Sequence, residues 1–128
     1  MRHSMYLFLI LSTFVYSSDF YYQNKQKVYL EKVSNSFRSY SNVDTFKDEN
    51  NMTFGVSDEI VIELDEKIMS IEKIVAKYPL LKVEKIASRY YRCKVQERSK
   101  IFKIAAKIYH EQGVLSSHPN FIRQKYQR

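Results

Sequence analysis

Residues that could perform acid–base, nucleophilic or metal chemistry are few and scattered in this sequence. His3, His110 and His118 are the only histidines, and His3 belongs to an apolar N-terminal segment. Neither His110 nor His118 has a cysteine or a carboxylate at a spacing typical of metal ligands. A surface histidine near a helix end and a histidine before Pro119 are the simpler interpretations. We therefore expect no metal site.

The acidic pairs, the glycines and the cysteine do not supply a catalytic group either. Asp58-Glu59 and Asp65-Glu66 flank a predicted strand, and we interpret them as its solvated ends rather than as an acid–base couple. The only glycines, Gly55 and Gly113, cannot form a glycine-rich phosphate-binding loop. The single Cys93 alternates with apolar residues, which favours a buried small side chain over a reactive thiol. The sequence predicts a chain that is not an enzyme and binds no cofactor.

The N-terminal segment has the three-part pattern of a secretory signal. A short positive start at Arg2 precedes an apolar run from Met5 to Tyr16, and the small residues Ser17-Ser18 follow. A membrane-spanning helix needs about 20 apolar residues, and this run is shorter. A helix buried in a globular domain would show a polar face. We expect residues 1–17 to be a signal peptide, the protein to be exported to the periplasm or the outside, and no stable membrane anchor after removal.

Charge is distributed unevenly along a chain whose formal net charge is +7. Eight acids lie between Asp44 and Glu66 against one base, whereas twelve bases lie between Lys82 and Arg128 against three acids. A basic half can meet nucleic acid, an anionic membrane or an acidic protein. Alternatively, the acidic and basic halves neutralise each other on a solvated surface. Because the chain is predicted to be exported, we expect no nucleic-acid partner.

Residues 18–56 are predicted to form a hairpin and a polar linker. The β-prone runs Phe20-Tyr21-Tyr22 and Lys27-Val28-Tyr29-Leu30 surround a short polar break, as the two strands of a hairpin do. The stretch Val33–Gly55 is rich in Ser, Asn and Asp, which is typical of a linker.

Residues 57–121 alternate between strand and helix patterns. Glu59–Asp65 alternates apolar and acidic residues as a strand does, and a helical pattern then runs from Ile68 to Tyr78 before Pro79. Two strands, the second of them from Tyr90 to Val95, a helix capped by Ser99 and a last strand starting at Val114 complete the order. Strand–helix–strand–strand–helix–strand predicts an α+β, ferredoxin-like βαββαβ fold, with two helices on one face of a four-stranded antiparallel sheet. The predicted core includes Ile62, Val75, Tyr91, Ala105 and Ile108.

Three stretches resemble the N-terminal propeptide of bacterial secreted subtilisin-type serine proteases, the fervidolysin-like prodomain. Glu59–Leu64 is similar to the family's first strand, EIIVKF, and Tyr91–Val95 is similar to its third strand, YLLRV. Ala105–Val114 with Pro119-Asn120-Phe121 follows the pattern AxxLYESGLVEYAEPNF. Ser117-His118 replaces the family's acidic pair before the proline, and the catalytic motifs of the protease are absent from this sequence.

This resemblance implies a partner and the residues that contact it. In the family, the exposed sheet face packs on two helices of the protease, and the C-terminal tail lies in the active-site cleft. The chain would be a standalone inhibitor or folding partner of a secreted subtilisin-type protease, or a truncated remnant of one. An alternative is an exported basic module that binds anionic lipid or polymer. The partner-binding residues that the resemblance implies are Arg92 and Lys94 on the sheet, then Phe121, Ile122, Arg123, Gln124, Lys125, Tyr126, Gln127 and Arg128, with residues 122–128 as the tail.

Overall fold

A computed structural model describes residues 19–33 and 43–123 of the chain. The predicted signal peptide and the last five residues of the predicted tail lie outside the described residues. The elements are strands β1 (Asp19–Gln23), β2 (Gln26–Val33), β3 (Asp44–Lys47), β4 (Thr53–Leu64), β5 (Leu80–Ala87), β6 (Tyr90–Val95) and β7 (Val114–Arg123), helices α1 (Ile71–Lys77) and α2 (Ile101–Tyr109), and the 3-10 turn Arg98–Lys100.

The hairpin predicted at the start of the described chain is present. Strands β1 and β2 pair antiparallel from Asp19↔Leu30 to Gln23↔Gln26. Asn24 and Lys25 form the two-residue turn, and both have positive φ, at 51° and 67°. Two positive φ values in a two-residue loop match the right-handed twist of the flanking strands, and Asn adopts them more easily than most residues.

Both helices lie within the predicted regions, but the one N-cap that the sequence predicted, Ser99 for α2, is not formed. The hydroxyl of Ser70 accepts a hydrogen bond from the Lys73 amide and caps α1, which ends before Pro79. Helix α2 instead continues from the 3-10 turn, and no side chain caps it. The prediction that Ser99 caps α2 was therefore wrong, because the 3-10 turn already begins at Arg98.

Strand β4 organises the sheet because it pairs along both of its edges. One edge carries β3 opposite residues 53–56 and then β6 opposite residues 59–63. The other edge carries β7 along most of its length. The order β1-β2-β3-β4-β6-β5, with β7 added to β4, therefore gives seven antiparallel strands in one sheet.

The predicted ferredoxin-like fold was wrong, although the order of elements after Thr53 is the predicted one. The structure is a curled half-barrel of six to seven strands with two helices, not a four-stranded sheet with two helices on one face. The twelve-residue β4 extends past β6, so that β3 also pairs with it and adds the hairpin to the same sheet.

The predicted polar linker is also part of this sheet over its described residues. Asp44–Lys47 forms β3, and the last linker residues, Thr53 to Gly55, begin β4. Thr45 and Phe46 of β3 are buried. The composition of this stretch suggested a linker, but the β-prone pair Thr45-Phe46 is enough for a short strand once β4 offers a free edge.

The core lies in the concave side of the curled sheet, against α2. Of the five residues predicted to be core, four are buried and Val75 packs against the core while partly buried. Buried residues of β2, β3 and β4 join those of α2 in one cluster. The buried apolar residues are Leu30, Phe46, Val56, Ile60, Ile62, Leu64, Ile74, Leu80, Tyr91, Cys93, Val95, Ile101, Phe102, Ala105 and Ile108.

Candidate partner-binding surfaces

The side of the sheet opposite α2 forms an outer face without a helix among the described residues. Ile60 and Ile62 of β4 point into the core together with Cys93, Tyr91, Pro119 and Ser117, which lie opposite them. The residues that alternate with them along each strand must therefore lie on the opposite side of the sheet. We call this side the outer face; it consists of Glu59, Val61, Glu63, Glu84, Tyr90, Arg92, Lys94, Ser116 and His118.

Arg92 and Lys94 lie on the outer face, but their charges are paired within the chain. The Arg92 guanidinium lies 3.0 Å from a Glu84 oxygen and 3.7 Å from a Glu59 oxygen. The Lys94 ammonium lies 3.8 Å from a carboxylate oxygen of Asp58. The hydrogen bond and charge of Glu84 raise the pKa of Arg92. A partner at these two residues would meet a mixed-charge surface rather than a basic patch.

Ion pairs between the acidic half and the basic half of the sequence compensate much of its uneven charge distribution. Five of the eight acids between Asp44 and Glu66 lie within 4.0 Å of a base in the basic half. For three of these five acids, Asp58, Glu59 and Glu63, the reason is the antiparallel pairing of β4 with β6, which brings the two halves together in opposite directions. These pairs are Asp44–Arg98, Asp58–Lys94, Glu59–Arg92, Glu63–Arg89 and Glu66–Lys85.

The first residues of the predicted C-terminal contact segment belong to the sheet. Phe121, Ile122 and Arg123 are the end of β7 and pair with Val56, Gly55 and Phe54 of β4. The Phe121 ring stacks on His118 and lies 4.7 Å from the Tyr21 ring. The structure does not bring these three residues together with Arg92 and Lys94. Gln124 to Arg128 lie outside the described residues.

A groove runs between the tip of the hairpin, the β3–β4 turn and β7, and sequence reasoning did not predict it. Its volume is about 790 Å³, within the range of sites that bind small ligands. The signal that could have pointed to it is the aromatic cluster Phe20-Tyr21-Tyr22, which was interpreted only as a strand. The aromatic side chains that line it are Tyr21, Tyr22, Phe54, Tyr109, His118 and Phe121.

Three ionisable groups of this groove already have partners within the chain. The Asp48 carboxylate accepts hydrogen bonds from two backbone amides of its own turn. Glu63 pairs with Arg89. The Nδ1 atom of His118 lies 2.8 Å from the carbonyl oxygen of Pro119. These contacts are structural, and none of the three joins a carboxylate to a histidine.

Two tyrosines form polar clusters that hold helices and loops to the sheet. The Tyr91 hydroxyl donates to Glu66 over 2.6 Å, and this hydrogen bond raises the pKa of Tyr91 to about 12. The Tyr78 hydroxyl donates to Glu111, and burial followed by that hydrogen bond raises the pKa of Tyr78 to about 12. Neither tyrosine is ionised near neutral pH, so these groups act as hydrogen-bond donors rather than as bases.

Cys93 and His110 have the ordinary environments that the sequence indicated. Cys93 is fully buried, and burial raises the pKa of its thiol to about 11. His110 is exposed and its Nε2 atom lies 3.2 Å from the Tyr22 hydroxyl. Within residues 19–33 and 43–123, no group of three His, Cys, Asp or Glu side chains could hold a metal ion, and no helix is long and apolar enough to cross a membrane.

Strand β5 is a second surface that sequence reasoning missed. It ends the strand order, and every residue from Leu81 to Ala87 is exposed. Alternation in the sequence shows that a strand is present but cannot show whether it lies at an edge.

Comparison with known proteins gives this chain no relative. No family model, no curated protein and no solved structure matches it.

Proposed function

We propose that this chain is a non-catalytic protein-binding module of the subtilase-propeptide type, which inhibits or assists the folding of a secreted subtilisin-type protease. The observation that carries the proposal is the position of β7. Among the described strands it pairs only with β4, and it remains extended up to Arg123, after which residues 124–128 follow. A segment that continues from the end of an edge strand is suited to adding a strand in a cleft, where main-chain hydrogen bonds supply affinity.

The outer face supplies a second surface for such a partner. It carries both signs of charge around the apolar Val61, and no helix of the described chain covers it. Mixed charges of this kind set the orientation and the association rate of a complex more than its final affinity. The C-terminal residues are therefore expected to supply most of the affinity, and the outer face is expected to supply specificity.

The alternative function, binding of anionic lipid or polymer, has less support. It was motivated by the basic half of the sequence, and much of that charge is paired with acids of the same chain. Binding to an anionic surface through the remaining lysines would weaken sharply as salt is added. The affinity of an extended segment inserted in a cleft would change little with added salt.

The test is inhibition of peptide hydrolysis by a subtilisin-type protease of the same organism. Deleting residues 124–128 should leave the thermal unfolding midpoint unchanged, because these residues follow β7, and should weaken inhibition by at least about tenfold, since several main-chain hydrogen bonds are lost. The matched control is the double change Arg92→Glu and Lys94→Glu, for which a smaller loss is expected.

Two results would contradict the proposal. Equal inhibition by the full chain and the deletion variant would exclude the C-terminal segment as the inserted strand. Absence of both inhibition and assisted refolding would exclude the whole function and favour a truncated remnant of a protease.

A further inference from the structure

Strand β5 leaves a long edge of the sheet open. Among the described strands it pairs only with β6, so its other edge offers unpaired backbone groups. Leu81, Val83 and Ile86 are 60%, 38% and 44% exposed on this one strand. Free edges with large apolar side chains are templates for pairing with another strand, and proteins normally cover or guard them.

The charges on β5 are arranged so that the strand complements itself. Glu84 and Glu59 share the single guanidinium of Arg92, which leaves one carboxylate charge in excess at this edge. Lys82 makes no ion pair with any described residue. In an antiparallel pair of β5 strands centred on Val83, Lys82 of each copy lies opposite Glu84 of the other.

We propose that two copies of this chain associate through β5, antiparallel, with the two-fold axis at Val83. The pairing places Val83 against Val83 and forms two identical Lys82–Glu84 pairs, as an isologous interface requires. Register shifts between Leu80 and Val83 and between Lys85 and Ala87 limit regular pairing to the centre of the strand. The buried area of the dimer interface is therefore smaller than that of a permanent dimer, and the dimer forms only at higher protein concentration. This proposal does not rest on the proposed function.

A disulfide on the axis tests the geometry directly. Directly opposite residues of antiparallel strands have Cα atoms about 4.5–5.5 Å apart, a range that a disulfide spans. Val83→Cys should therefore form a symmetric disulfide dimer under mild oxidation. Native Cys93 does not compete, because it is buried and the pKa of its thiol is raised to about 11.

The matched control for that variant is Lys85→Cys. Lys85 lies on the same exposed strand but two residues from the axis, so that the two new thiols would lie opposite Leu81 rather than opposite each other. Rapid dimer formation by Val83→Cys and slow formation by Lys85→Cys supports the proposal. Equal rates for the two variants would overturn it.

Charge exchange tests the two ion pairs without a covalent bond. Lys82→Glu and Glu84→Lys each place like charges opposite each other, so each variant alone should self-associate about tenfold more weakly than the native chain in sedimentation equilibrium. An equimolar mixture of the two variants should regain the association, because opposite charges face each other again. A native chain that stays monomeric at millimolar concentration, or a mixture no stronger than its components, contradicts the proposal.

Discussion

Gly113 shows how a single residue fixes the route from α2 into β7. Its φ is +92°, a conformation that L side chains rarely adopt. A Cβ atom at this position would lie 2.7 Å from the Cβ of Met69 and 2.9 Å from the Cγ2 of Ile68. Its carbonyl oxygen also accepts a hydrogen bond from the Asp65 amide, which ties the turn to the end of β4.

We therefore expect Gly113→Ala to lower the free energy of unfolding by at least about 1–2 kcal/mol, which is the cost of the left-handed conformation alone. The overlap of the new Cβ atom with Met69 and Ile68 should increase this loss. Urea unfolding measures this change. The exposed neighbour Gln112 provides the control, since Gln112→Ala should alter stability by less than about 0.5 kcal/mol. Similar losses in the two variants would mean that the turn does not have this conformation.

At the scale of elements, α1 is held both by polar contacts at its C-terminal end and by apolar packing, since Ile71 and Val75 are partly buried against the core. Ile74 is its only buried residue. Tyr78 caps the helix and donates to Glu111, and the Lys77 ammonium lies 2.7 Å from the same carboxylate. Hydrogen bonds from Lys77 and Tyr78 lower the pKa of Glu111. These contacts connect α1 to the turn after α2.

This cluster predicts a loss of stability at both ends of the pH range. The lowered pKa of Glu111 stabilises the folded chain above the unfolded-state pKa, and this stabilisation is lost as pH falls through the folded-state value. The raised pKa of Tyr78 stabilises the folded chain below pH 10, and this stabilisation is lost as pH rises from about 10 to 12.

We expect the native chain and Tyr78→Phe to differ most near neutral pH. The difference in unfolding free energy should narrow in acid and above pH 10, where the Tyr78–Glu111 hydrogen bond is lost in the native chain as well. Urea unfolding at several pH values provides the measurement, with Tyr29→Phe on exposed β2 as the control. A difference that is independent of pH would show that the ionised form of Glu111 has no part in the cluster.

The whole molecule is shaped by the return of the hairpin towards α2 and β7. The Tyr21 ring lies 4.7 Å from Phe121, and the Tyr22 ring stacks on Tyr109 at 4.5 Å. No strand pairing joins β1 to β7 among the described residues, so aromatic contacts hold β1 of the hairpin against β7 and α2. Offset and edge contacts between rings add to the free energy gained by burying their area.

Tyr21→Ala is therefore expected to cost about 1–3 kcal/mol of folding free energy. Hydrogen exchange should accelerate at the amides of β1 and β2 more than at those of β4 and β6, because the hairpin would lose its contact with β7. Tyr29→Ala, on the exposed side of the same hairpin, should have a smaller effect. Uniform acceleration across all strands would contradict a hairpin held separately by these rings.

Local features of the chain were predictable because they depend on neighbouring residues. Tyr90–Val95 was predicted as a strand with those bounds, because the alternation of buried and exposed side chains depends only on the two faces of a single strand. The hairpin, a helix between Ile68 and Pro79 and the buried character of Cys93 follow from the same short-range chemistry.

Tertiary pairing alone decided the fold and the surfaces. Periodicity does not reveal which strands share an edge, so the second pairing of β4 with β3 and the half-barrel it produces could not be inferred. For the same reason, Arg92 was predicted to be available to a partner, although β4 and β5 place carboxylates beside it. The sequence by itself determined the elements other than β3 and their apolar faces, because those depend on the covalent order of side chains. Only the tertiary structure decided the neighbours of each element, because pairing depends on long-range contacts that no local pattern records.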